Sequence, residues 1–236
     1  MAEKIYPDGG RENDFSSMYC QMAMQSYYRA FQYYEEIRKA DFSWSKCDEY
    51  HELQKSVISA VVFSAMSLEA YFNNYIAACL GDKEYYDSFD NLTPEGKFQL
   101  IIKFIFRTKI DKSKACYGGL VNLFKLRNRY IHNKSKRSKF QGYTLEEYIE
   151  HEKMFLDEDI IFPDPPLLDH EEINRDMRDA REAIKAVYNV ALYFEEHDEN
   201  CMAVLWLFGG KLHPAVSPYE IKAREFVYQK LGIKGR

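Results

Sequence analysis

Arg127, Asn128 and His132 stand close together in "KLRNRYIHNK", residues 125–134, a cation that needs an anion nearby and two polar groups that share a neighbouring edge. A guanidinium offers a planar fork of donors to phosphate oxygens, and an imidazole moves a proton near neutral pH. A carboxamide one helical turn before the imidazole can hold it or a phosphate oxygen. At about 100° per residue, Leu120, Leu123, Phe124, Leu126, Tyr130 and Ile131 spread over one broad helical face, and Arg127 points into the middle of it. A charge in such a face requires a counter-charge, a cleft or a partner. Arg129 points to the far side, as a solvated residue would.

A candidate counter-charge lies in "HELQKSVISAVVFSAMSLEAYFNNYIAACLG", where Glu69 shares its helical angle with Ile58, Val62, Ala65 and Ile76. Two misplaced charges of opposite sign predict an ion pair between Glu69 and Arg127. Such a pair also has a plain structural reading, a bridge between two helices with His132 merely exposed at a helix end. The segment after the motif is basic: Lys125, Arg127, Arg129, Lys134, Lys136, Arg137 and Lys139 occur with no acidic residue among them. That run would draw a phosphate backbone toward the motif, with Phe140 and Tyr143 placed to stack on bases. A basic loop solvated by water, or neutralised by the acidic "EEYIEHEKMFLDED", is the bland alternative.

Other chemistries find little footing. Gly118-Gly119 and Gly209-Gly210-Lys211 lack the spacing of a phosphate loop, and no histidines pair at metal-ligand spacing. Neither a cofactor nor a metal is expected. The five cysteines, Cys20, Cys47, Cys79, Cys116 and Cys201, are scattered and read as free thiols. A net charge of −5 argues against coating nucleic acid through the overall field, so any basic site must be local. The polar start "MAEKIYPDGGREND" and the interruption of the longest apolar run by Ser64, Ser67 and Glu69 predict a soluble cytoplasmic protein with no membrane segment.

The elements that must position these residues are helical almost throughout. One apolar face runs along "SSMYCQMAMQSYYRAFQYYEEIRKA" through Met18, Ala23, Tyr27 or Tyr28, Phe31 and Tyr34. The segment carrying Glu69 is apolar on nearly every side and stops at Gly81, the pattern of a central buried helix. Thr93 and Pro94 open a third helix, and Ser217 and Pro218 a short last one. Ile173, Met177, Ala180, Ile184, Val187 and Ala191 form the stripe of a long fifth. With 236 residues, of which 46% are hydrophobic, the expectation is one main domain: an all-α, up-and-down bundle of about five helices. It divides into a helical core over 1–161, whose motif-bearing helix covers about 116–133, a proline-broken linker over 162–168, and a final bundle helix over 169–197. A C-terminal extension over 198–236 carries no readable role.

The run Arg127-Asn128-Arg129-Tyr130-Ile131-His132 resembles the RNxxxH signature of the HEPN superfamily. "FSAMSLEAYFNNYI", with Glu69 and Asn73, is similar to the second helix of many such proteins, and "LTPEGKFQLI" to the segment that follows. The resemblance covers about residues 50–135. It implies a HEPN-like bundle acting as a homodimer whose two motifs share a cleft, and a metal-independent endoribonuclease of toxin or antiviral defence type. Arg127, Asn128 and His132 would be catalytic, Glu69 and Asn73 supporting, and Lys125, Lys134, Lys136, Arg137 and Lys139 RNA-binding. RNA, and a cognate antitoxin or defence partner, are the partners implied. A catalytically silent HEPN-like module that binds RNA, a nucleotide or a protein is the alternative.

Overall fold

A computed structural model of the chain describes residues 15–132, 168–209 and 217–233. Helix α1 (Ser16–Lys39) turns Cys20, Ala23, Met24, Tyr27, Ala30 and Ile37 inward at intervals of three to four residues. Met18 departs from the expected stripe and is 45% exposed. It sits two residues from Cys20, about 200° around the helix, so both cannot face the core.

Helix α2 (Cys47–Leu80) runs through the middle of the bundle and buries Leu53, Val57, Ala60, Val61, Leu68, Phe72 and Ile76 completely. By length and composition it could cross a membrane, but more than half of its most apolar window is buried inside the bundle. Gly81 ends it at φ +96°, a conformation that favours glycine. The Thr93 hydroxyl then accepts from the Gly96 N–H at 3.2 Å and opens α3 (Pro94–Leu100), which widens into a π-helical turn over Ile101–Ile105.

Helix α4 (Ala115–Ile131) carries the motif. It approaches α5 (His170–His197) closely where Gly119 meets Ala186; a methyl group on Gly119 would stand 3.4 Å from the Ala186 Cβ. Asp169 caps α5 by accepting from the N–H groups of Glu171 and Glu172 at 3.0 and 3.1 Å. The expected stripe of α5 faces the core, with Ile173, Ala180, Ile184, Val187 and Ala191 buried and Met177 half-buried.

Aromatic rings fill the centre. Phe72, Phe98 and Phe194 lie with centroids 5.6 to 6.3 Å apart, and Tyr75 and Phe106 meet Phe194 edge-on at 5.0 and 5.2 Å. Residues beyond 197 join the same core. Leu207, Phe208, Ala223 and Val227 are buried, and helix α6 (Pro218–Leu231) packs along α1, where Gln25 Nε2 donates to Glu220 Oε1 at 3.0 Å. Every element among the described residues is helical, so the chain is all-α. Of the expected linker only Leu168 is described; its N–H donates to the Phe42 carbonyl at 2.8 Å.

Candidate functional site

The apolar side of α4 is made by Cys116, Leu120, Leu123, Phe124 and Leu126, all buried. Arg127 is half-buried at the border of that face, while Asn128 and His132 are exposed. Arg127 Nη1 donates to the Asn128 Oδ1 at 3.1 Å. Its Nε is sealed from solvent and has no hydrogen-bond partner among the described residues. His132 caps the C-terminal end of α4, where its N–H donates to the Asn128 carbonyl at 2.9 Å. The carboxamide and carbonyl of Asn128 therefore hold the arginine on one side and the backbone of the histidine on the other. Ile131, placed by sequence on the apolar face, is 46% exposed beside them. Lys125 is exposed on the same helix; Lys134, Lys136, Arg137, Lys139, Phe140 and Tyr143 lie outside the described residues.

The expected ion pair between Glu69 and Arg127 is not formed: among the described residues no carboxylate comes within bridging distance of Arg127. Two physical reasons account for it. Glu69 is half-buried on a side of α2 that Ile58 also opens to solvent, so its charge keeps much of its hydration. Its charge also acts on a different cation, Lys97 of α3.

Lys97 is 2% exposed and was not singled out by the sequence. Its Nζ donates to Asn73 Oδ1 at 2.8 Å and to the Tyr85 hydroxyl at 3.1 Å, and Tyr85 donates in turn to Asp90 Oδ1 at 2.9 Å. Burial pushes the Lys97 amine below its ordinary range, and the Glu69 and Asp90 charges oppose that shift. Asn73 thus belongs to a polar cluster around Lys97 that Glu69 influences through its charge, with no hydrogen bond from either to the Arg127 motif.

Arg129 is the motif residue that finds a carboxylate. Rather than being simply solvated, it bridges Asp179 of α5 and lies over the Tyr130 ring at 4.9 Å. The Tyr130 hydroxyl is 3.2 Å from Asp179 Oδ2 and 3.4 Å from Asp176 Oδ1. Asp176 and Asp179 are three residues apart on α5, so both carboxylates face this edge of α4. Asp176 is 7% exposed, and burial, with Glu172 adding to it, pushes its carboxyl up to about 6. The signal for this contact was present in "INRDMRDA", where Asp176 falls between the buried positions Ile173 and Ala180.

Among the described residues, no group of three or more His, Cys, Asp or Glu side chains is placed to hold a metal ion. No protein-family model, no curated protein and no solved structure matches the chain.

Proposed function

We propose that the chain is a HEPN-like, metal-independent endoribonuclease acting in the cytoplasm as a homodimer, of the kind used as a toxin or an antiviral effector. The observation that carries this reading is Arg127. Among the described residues it is a guanidinium with no carboxylate partner and one unsatisfied nitrogen, bonded to Asn128, with the exposed His132 five residues further on. An acceptor-rich anion would pair with the remaining donors of this half-buried guanidinium, and a phosphodiester presents two non-bridging oxygens to such a fork.

RNA carries its own nucleophile. One imidazole removes the proton from a 2′-hydroxyl; the 2′-oxygen forms a bond to the adjacent phosphorus, the bond from phosphorus to the 5′-oxygen breaks, and that oxygen takes a proton from a second imidazole. Arg127 stabilises the charge that builds on the non-bridging oxygens. One His132 per chain makes two chains necessary for separate acid and base. Lys125 and the basic residues Lys134, Lys136, Arg137 and Lys139 would guide the backbone, and a cognate antitoxin or defence partner would restrain the activity.

The test is incubation of the purified chain with mixed single-stranded and transfer RNA in excess chelator, beside His132→Ala. Cutting by the parent and none by the variant is the expected result. Retained binding without cutting by the parent indicates a silent RNA-binding module, and loss of both leaves a helical scaffold.

A further inference from the structure

A second feature lies on the other side of α5. Phe31 and Tyr34 of α1, Asn174, Arg178 and Arg181 of α5 and Lys230 of α6 line an open groove of about 430 Å³. Asn174, Arg178 and Arg181 recur at four and three residues and share one face of α5. That face is turned by roughly half a revolution from Asp176 and Asp179, which meet the motif helix. The groove is thus separate from the Arg127 site.

In a chain of net charge −5, three cations gather here and, among the described residues, no carboxylate lines the groove; the Glu182 charge felt by neighbouring Tyr27 is tied to Lys185. Among the described residues neither Arg178 nor Arg181 has an ion-pair partner, whereas Arg175 and Lys185 on the same helix bridge Glu172 and Glu182 at 3.2 and 3.8 Å. Phe31 is already part of a cation–aromatic arrangement, with Lys230 Nζ 4.7 Å above its ring. Tyr34 is held in place by its hydroxyl, which donates to Asn174 Oδ1 at 3.0 Å, and its half-buried ring faces the same seam.

From these contacts we infer that the groove binds a nucleoside phosphate unit, its base against the Tyr34 ring beside the Lys230–Phe31 pair and its phosphate in the fork of Arg178 and Arg181. A ring system answers the aromatic wall, which an acidic peptide would leave uncovered, and a phosphate answers two guanidinium groups one helical turn apart. The volume lies within the range of small-ligand sites. The unit can be supplied by a free nucleotide or by a single strand, and the chemistry is shared.

The test uses the full chain and a fluorescein-labelled oligo-dT strand, which lacks the 2′-hydroxyl needed for cleavage at the motif, read by anisotropy across a salt series. Arg178→Glu combined with Arg181→Glu should weaken binding by at least about thirtyfold and flatten its salt dependence. Tyr34→Ala should weaken it by about tenfold. Lys55→Glu combined with Lys112→Glu makes the same change in net charge outside the groove and should leave binding within about twofold. Circular dichroism of each variant checks that the helices persist. Competition by AMP identifies a free nucleotide as the source; competition by unlabelled strand alone identifies a strand. Because the probe cannot be cut by 2′-hydroxyl attack, binding is read apart from cleavage, and failure of the ribonuclease reading leaves this site standing. No binding at about 1 mM protein, equal losses in groove and control variants, or capture of a polyglutamate peptide in place of the strand would overturn the inference.

Discussion

Lys97 Nζ donates to Asn73 Oδ1 at 2.8 Å across the junction of α3 and α2. With Lys97 2% exposed, removing that acceptor leaves a buried ammonium donor unsatisfied. Asn73→Ala should therefore lower unfolding free energy by about 1 to 3 kcal/mol in urea titration. Glu69→Ala should lower it by less than about 1 kcal/mol, since that carboxylate stays half hydrated and holds no bridge to Arg127.

The buried Asp176 makes stability depend on pH in a definite direction. Its carboxyl is pushed up to about 6, against about 3.9 in an unfolded chain. Between those values the folded chain holds more protons than the unfolded one, so stability falls as pH rises from about 4 to about 6 and is level above. Asp176→Asn should remove this fall and stabilise the protein at pH 7 by about 1 to 2 kcal/mol after allowance for screening. Thermal melts of both proteins across pH 4–8 check it; parallel curves would refute it.

Local rules made much of this fold legible. Thr93 and Ser217 followed by Pro94 and Pro218 mark helix starts because a hydroxyl acceptor and a residue without an N–H suit the first turn, and both caps are formed. Gly81 marks the end of α2 for the converse reason. What helical angle does not encode is how each helix is rolled about its axis against its neighbours. Arg127 and Glu69 both looked like charges on apolar faces, yet the roll of α4 sets Arg129 and Tyr130 against α5 and gives Arg127 no carboxylate among the described residues. The same limit hid Lys97, whose burial depends on the turn around Tyr85 folding over it, and the groove, whose lining comes from three helices far apart in sequence.

Asp179 serves two neighbours at once, accepting from Arg129 and from the Tyr130 hydroxyl. Asp179→Ala should destabilise by about 1 kcal/mol, because Arg129 is half exposed and recovers hydration while Tyr130 keeps Asp176 within reach. Asp179→Asn, which keeps an acceptor, should recover most of that loss in the same denaturant titration.

Ser217 and Glu220 form a reciprocal capping box at the start of α6, with bonds of 3.2 and 2.7 Å. Ser217→Ala should lower stability by about 1 kcal/mol. Hydrogen exchange should rise first in α6, because Glu220 also ties that helix to Gln25 of α1.

The termini of cut RNA test the central claim most directly. Mass spectrometry of products formed in chelator should find 2′,3′-cyclic phosphate and 5′-hydroxyl ends from the parent and no products from Arg127→Ala or His132→Ala, with both variants folded. Ends bearing 3′-hydroxyl and 5′-phosphate, equal cutting by the His132 variant, or intact RNA with the parent would contradict it.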